Sequence, residues 1–166
     1  MKQDKIFYLD NLKKDIKNIK EQLIEDCIIS TQKKIYNHYN YQVFSKHHDK
    51  LYSLFINSCK KYFKNIKVHN TPTKLWTYCT DKDYSEGEVW HNHANSCTLC
   101  GVLYLKTIKN CGIDLRYNNE TVYVEPKDYD LLIFPGFLDH KPRISKTKRR
   151  ISLQFEIFCD KDKVLL

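Results

Sequence analysis

Arg150-Ile151-Ser152-Leu153-Gln154-Phe155-Glu156-Ile157 alternates polar and apolar residues without a break. A period of two makes this stretch a β-strand, with Arg150, Ser152, Gln154 and Glu156 on one face and Ile151, Leu153, Phe155 and Ile157 on the other. The polar face has two readings. It lies in water, as on an ordinary half-exposed strand, or it lines the inside of a barrel. In the second case the planar fork of Arg150 matches a carboxylate through two parallel hydrogen bonds, and Ser152 adds a third. A lumen of that kind beside a metal ion seats a dicarboxylate, one end on the metal and the far end on the arginine.

Working back from this strand, the period of two persists to Lys74. Leu75 to Cys79, Val89 to His93, Thr98 to Lys106, Ile113 to Tyr117, Thr121 to Val124, Asp130 to Phe134 and Leu138 to Pro142 read as further short strands. Asn118-Asn119 is a hairpin signal, and Asp81 to Glu86 a polar turn. All four glycines lie beyond Pro72, which marks the second part as the turn-rich one. Before Pro72 the spacing is helical. Leu12, Ile16, Ile19, Leu23, Ile24 and Cys27 form one apolar stripe, with Asp10 placed to cap its start. Leu51, Leu54, Phe55, Cys59, Tyr62 and Phe63 form the stripe of a second helix from about Ser45 to Phe63. The expected fold is mainly β with N-terminal helices: roughly eight short antiparallel strands in a small β-barrel or sandwich, with two helices packed on one face. Residues 1–73 would be the helical cover and connection, 74–158 the barrel core and 159–166 a tail of one single domain.

Composition narrows the setting. The 166 residues are 42% hydrophobic and 29% charged, a globular rather than a disordered balance. No apolar run approaches the roughly 20 residues of a membrane span. Met1 to Asp10 lacks the apolar core of an export signal. Seven cysteines without a framework spacing then read as reduced thiols, and the expected location is cytoplasmic, in a microbial or viral setting. The net charge of +8 is spread along the chain and reads first as a lysine-rich solvated surface. Lys141, Arg143, Lys146, Lys148, Arg149 and Arg150 form its densest stretch, suited to an anionic partner.

Metal chemistry is suggested by Trp90-His91-Asn92-His93. On a strand His91 and His93 point to the same face, at a spacing that one ion can bridge. His140 follows an apolar strand and a Pro135-Gly136 turn, so it can lie opposite the pair and close a triad. Cys97 and Cys100 form a C-x-x-C with no second pair. Three positions apart on a strand they face opposite sides, so buried free thiols are expected rather than zinc.

In order, the chain offers His-x-His, Gly101-Val102-Leu103-Tyr104-Leu105, Pro126, the Asp130 to Pro135 run, His140 and Arg150-Ile151-Ser152. This order resembles the 2-oxoglutarate and Fe(II)-dependent oxygenases, a superfamily that includes the prolyl hydroxylases. It is most similar to a branch of short oxygenases carried by phage and microbial genomes, with a His-x-His-x-Asn-Ser-x-x-Ser-Gly-Val-x-Tyr-Leu pattern. His91 to Leu105 is close to that pattern, with Cys100 in place of one serine and one residue more between Ser96 and Cys100. The resemblance runs from Leu75 to Phe158 and leaves out the helices. It implies a double-stranded β-helix, jelly-roll or cupin-like, with the two helices packed outside, Fe(II) held by His91 and His140, and 2-oxoglutarate held by Arg150 and Ser152. It implies that Tyr104 binds the same carboxylate, with Tyr78 as a further pocket residue. The partners it implies are O₂ and an organic substrate, a small molecule or peptide rather than nucleic acid.

One departure stands out. His93 occupies the place where most members carry Asp or Glu, the carboxylate of the usual two-histidine, one-carboxylate site. Three imidazoles bind the metal, or an acid arrives from elsewhere, or the third position is open. Asp114 and Asp139 are the nearby acids, and Asp139, next to His140 on a strand, should face away. Two other functions stay in view. One is a cupin-like three-histidine metalloprotein that does not use 2-oxoglutarate, in which Arg150 and Ser152 have no task. The other is a non-catalytic basic binding module, for which no aromatic and basic platform motif is present.

Overall fold

The strand at 150–157 forms inside a six-stranded antiparallel sheet, in a computed structural model that describes residues 6–32, 40–69, 75–80, 89–145, 148–160 and 164. In chain order the elements are β1 (Tyr8–Asn11), α1 (Lys13–Ile16), α2 (Lys20–Gln32), β2 (Asn40–Val43), α3 (His48–Tyr62), β3 (Leu75–Thr80), β4 (Leu99–Lys106), β5 (Ile113–Tyr117), β6 (Glu120–Val124), β7 (Asp130–Pro135), β8 (Asp139–Pro142) and β9 (Arg150–Ile157). The large sheet has the order β1-β7-β4-β9-β3-β2, and a small sheet the order β6-β5-β8.

The large sheet is buried on both faces, which is why β4 and β7 are nearly continuous apolar runs. On one face Leu103, Ile133, Leu153 and Phe155 pack against Leu23, Cys27, Leu51 and Phe55 of the helices. On the other, Val102, Tyr104, Leu132 and Phe134 pack against Ile113, Leu115 and Val124 of the small sheet. This is the mainly β, helix-covered jelly-roll arrangement expected of a double-stranded β-helix. Gly101 sits where α3 approaches closest, and a Cβ there would stand 2.4 Å from a Phe55 ring carbon. The β5–β6 hairpin turns on Asn118 and Asn119 at φ 49° and 66°, the left-handed pair that a two-residue loop requires.

The N-terminal part departs from the expected two helices. Its first helix is broken into α1 and α2, and two four-residue strands, β1 and β2, leave it to form the two edges of the large sheet. Asp10 is no cap. It lies in β1, and its carboxylate accepts bonds from Ser58 Oγ (2.8 Å) and Lys61 Nζ (3.0 Å) on α3. Leu12 precedes the helix without any side-chain cap, and Asn11 Oδ1 accepts the Lys13 N–H at 3.2 Å instead. The expected strand at Val89 to His93 is reduced to a single bridge between His91 and His140, because the chain turns again at 94–96. The turn expected at Asp81 to Glu86 lies outside the described residues. Among the described residues, no helix is long and apolar enough to cross a membrane.

Candidate metal centre

His91 and His140 exchange both backbone hydrogen bonds, 3.0 Å and 2.8 Å, and so stand directly opposite each other beside the small sheet. The His93 N–H is fixed on the Gly136 carbonyl at 2.7 Å, and the His93 carbonyl accepts from Ser96 and Cys97. The turn after β7 and the turn after His93 therefore hold one another. Ring centroids lie 4.2 Å apart for His91 and His140, 5.3 Å for His91 and His93, and 5.1 Å for His93 and His140. One ligand atom from each of the three lies within 4.8 Å of the others, and no other group of three or more His, Cys, Asp or Glu among the described residues does this.

The tautomers follow from the partners. His91 Nδ1 meets the Val89 carbonyl and His140 Nδ1 the Leu138 carbonyl, each at 3.0 Å. His93 Nδ1 lies 2.9 Å from Glu156 Oε1. Carbonyls and carboxylates only accept, so each Nδ1 is the donor to its partner and each Nε2 is the atom left to face a metal. Burial drives His140 down to about 3, with His91 and His93 acting in the same direction and the Leu138 carbonyl opposing, so its ring is neutral at ordinary pH. Three imidazoles brought this close together are a set of nitrogen donors for a transition metal.

The two acids raised by the sequence lie elsewhere. Asp114 takes a bidentate grip from Arg143, 2.9 Å from Nε and 2.7 Å from Nη2, on the face of β5 opposite Leu115 and His140. Asp139 faces away, as expected, and binds Arg116 (3.0 Å) and Asn92 (2.9 Å). Glu156 is the acid that reaches the triad, through His93. Its inward face was legible in the alternation of 150–157, but its partner was not. Cys97 and Cys100 are buried free thiols, yet their sulfurs touch at 3.2 Å instead of facing apart. Cys97 belongs to the turn before β4, so strand geometry does not apply to it. The basic stretch does not act as one surface: Arg143 is paired with Asp114, Arg150 is buried, and Lys146 lies outside the described residues.

Below the triad, β9 runs inward. Glu156 and Gln154 are half-buried at its open end, while Ser152 and Arg150 are 0% and 1% exposed. Tyr104, Ser152 and Tyr78 form one row across β4, β9 and β3. The Arg150 guanidinium lies 5.1 Å from the Tyr104 ring centroid and 5.6 Å from that of Tyr78. Among the described residues, Arg150 Nε, Arg150 Nη1 and Tyr104 Oη are buried and have no hydrogen-bond partner. Burial raises the Tyr104 phenol above its usual range while the Arg150 charge works against the rise, so the hydroxyl stays protonated and can donate. Ser152 Oγ has only a long bond, 3.4 Å, to the Tyr78 carbonyl.

No protein-family model and no curated protein matches the chain. Solved structures do. A prolyl hydroxylase from Trichoplax adhaerens, in complex with a hypoxia inducible factor peptide fragment, is similar at TM-score 0.69 and 13% identity, over 96% of this chain and 86% of that one. A prolyl-4-hydroxylase from Pseudomonas putida is similar at TM-score 0.62 and 11% identity, over 93% of each. The viral collagen prolyl hydroxylase of Paramecium bursaria Chlorella virus-1, in its 2-oxoglutarate complex, is similar at TM-score 0.59 and 14% identity, over 93% of this chain and 96% of that one. The chain thus has the fold shared by the prolyl 4-hydroxylases and the wider 2-oxoglutarate and Fe(II) oxygenases.

Proposed function

We propose that this protein is a non-haem Fe(II) and 2-oxoglutarate-dependent oxygenase. His91, His93 and His140 hold Fe(II) through their Nε2 atoms. Arg150 binds the far carboxylate of 2-oxoglutarate as a fork, Tyr104 Oη donates to the same carboxylate, Ser152 adds its hydroxyl, and Tyr78 walls the chamber. Bound iron supplies the activation of O₂, so that R–H, O₂ and 2-oxoglutarate become R–OH, succinate and CO₂. The chain's own contribution is ligation, orientation and a dry chamber. The substrate is a small molecule or a peptide, in keeping with the peptide bound by the Trichoplax neighbour. Helices, barrel and tail act as one domain, and the seven free thiols suit a reducing cytoplasm.

The observation that carries this reading is the set of buried polar atoms on Arg150 and Tyr104 that have no hydrogen-bond partner among the described residues. A buried guanidinium is costly unless paired, and a carboxylate entering beside the triad is the pairing that its geometry accepts. The test is anaerobic titration of the metal-free protein with Fe(II) and then 2-oxoglutarate, reading the weak visible charge-transfer band of the chelate. The band is expected in the wild type, and His91→Ala and His140→Ala should bind no stoichiometric Fe(II). Near-normal metal content in both variants sinks the triad. Metal binding without any response to 2-oxoglutarate moves the cupin-like three-histidine reading ahead.

A further inference from the structure

We propose that Glu156 is the positioning residue of His93, and that it returns to the triad, one imidazole further out, the negative charge that a third histidine removes. The inference rests on the metal-binding reading above. Non-haem Fe(II) oxygenase sites combine two histidines with one carboxylate, so the bound ion carries a net charge lower by one than it would on three imidazoles. In this chain the three donors are all imidazoles, with no carboxylate among them. The three rings are not equivalent, however. His91 and His140 turn their Nδ1 atoms to neutral backbone carbonyls at 3.0 Å. His93 alone turns Nδ1 to a carboxylate, Glu156 Oε1 at 2.9 Å, with Ser96 Oγ a distant second at 3.4 Å.

The pair is placed by the sheet. Glu156 stands on the inward face of β9, opposite Cys100 of β4, and the turn carrying His93 lies across it, fixed to Gly136. Its side chain is about one third exposed, so the charge is kept by solvent on one side and spent on His93 on the other. A carboxylate behind a ligating imidazole fixes the tautomer, aims the ring and makes Nε2 a stronger donor. His93 is thereby the most anionic of the three ligands, although it carries no acid of its own.

Glu156 also fastens the 93–97 turn to β9, and the test separates that purely structural task from the proposed one. Co(II) is the probe, measured by affinity and by its visible d–d spectrum, in the wild type, Glu156→Gln, Glu156→Ala, His93→Asp and His93→Asp/Glu156→Ala. Glu156→Ala should weaken Co(II) 10- to 100-fold, the usual effect of removing such a partner, and shift the spectrum. Glu156→Gln keeps an acceptor of the same shape without the charge and should recover only part of the affinity. In the His93→Asp background, where the carboxylate binds directly, loss of Glu156 should cost nothing, because the coupling runs through the imidazole. Thermal unfolding of each variant reports whether the fold is intact. Wild-type Co(II) affinity in Glu156→Ala, alongside its loss in His91→Ala and His140→Ala, overturns the role of Glu156 and leaves the triad standing. An equal loss with and without His93→Asp overturns it in favour of a structural fastening. No Co(II) binding by the wild type removes both readings.

Discussion

Arg150 is a positive charge with 1% of its surface exposed, facing two tyrosine rings. At the scale of single residues this is the least economical choice in the barrel, and it is the one most open to test. Hydrogen bonds to charged groups contribute about 1.5–3 kcal/mol each, so Arg150→Ala should weaken 2-oxoglutarate at least about tenfold, measured by calorimetry on the Fe(II) or Mn(II) form. Arg150→Lys keeps the charge without the fork and should regain only part of the loss. Metal affinity should stay unchanged in both. Arg149, one position earlier and half-buried, precedes β9, and Arg149→Ala should bind 2-oxoglutarate normally. If Arg149→Ala were damaging and Arg150→Ala silent, the inward set of β9 would be misassigned. That set was legible in the sequence because a period of two admits one register only. His91, His93 and His140 were legible as candidates but not how they meet, because the strand expected at 89–93 is a single bridge at His91 and His93 is placed by its bond to Gly136. What Glu156 does was not, because its partner lies 63 positions away on a turn, and no periodicity relates a strand end to a turn (156 − 93).

Elements show the same division between what a pattern fixes and what contacts fix. The β5–β6 hairpin appears where Asn118-Asn119 announces it, and β3, β4, β7 and β9 lie within a residue of their expected ends. β1 and β2 were invisible. Tyr8-Leu9-Asp10-Asn11 and Asn40-Tyr41-Gln42-Val43 are too short for a period and carry too little apolar surface. Their place comes from backbone pairing with β7 and β3, a property of the neighbour rather than of the segment. The break between α1 and α2 escapes for a similar reason, since Lys17 to Ile19 continue the helical spacing through it. Gly101 carries the element-scale prediction. Any Cβ there meets Phe55, a fully buried ring packed against Phe155 with centroids 5.2 Å apart. The ring cannot yield without moving α3 off the sheet. Gly101→Ala should therefore destabilise the protein by about 1–3 kcal/mol, read from urea unfolding, as overpacked core sites do. Stability equal to the wild type would mean that α3 is not pressed on β4 as described.

For the whole molecule, the two faces of the large sheet do opposite work. The helix side is a dry apolar core, while the side toward the small sheet encloses a cation and a phenol awaiting a partner. On the reading proposed above, the site holds the fold below its own best stability. Arg150→Met should unfold, without ligand, at a midpoint equal to or above the wild type, because it replaces an unpaired buried charge by apolar volume. Adding 2-oxoglutarate with Mn(II) should reverse the order. Ligand at 100 times its dissociation constant stabilises the wild type by about 2.7 kcal/mol and should leave the variant far behind. A ligand-free variant much less stable than the wild type would show that Arg150 is a structural pillar. The cysteines offer a clock for such measurements. All seven thiols are buried, and burial pushes Cys27 to about 12 and Cys159 to about 11. A thiol-alkylating reagent at neutral pH meets almost no thiolate until the chain opens. Mass shifts in units of one adduct would then count openings molecule by molecule, with no dye, tag or engineered label, and the labelling half-time would lengthen as the chamber fills.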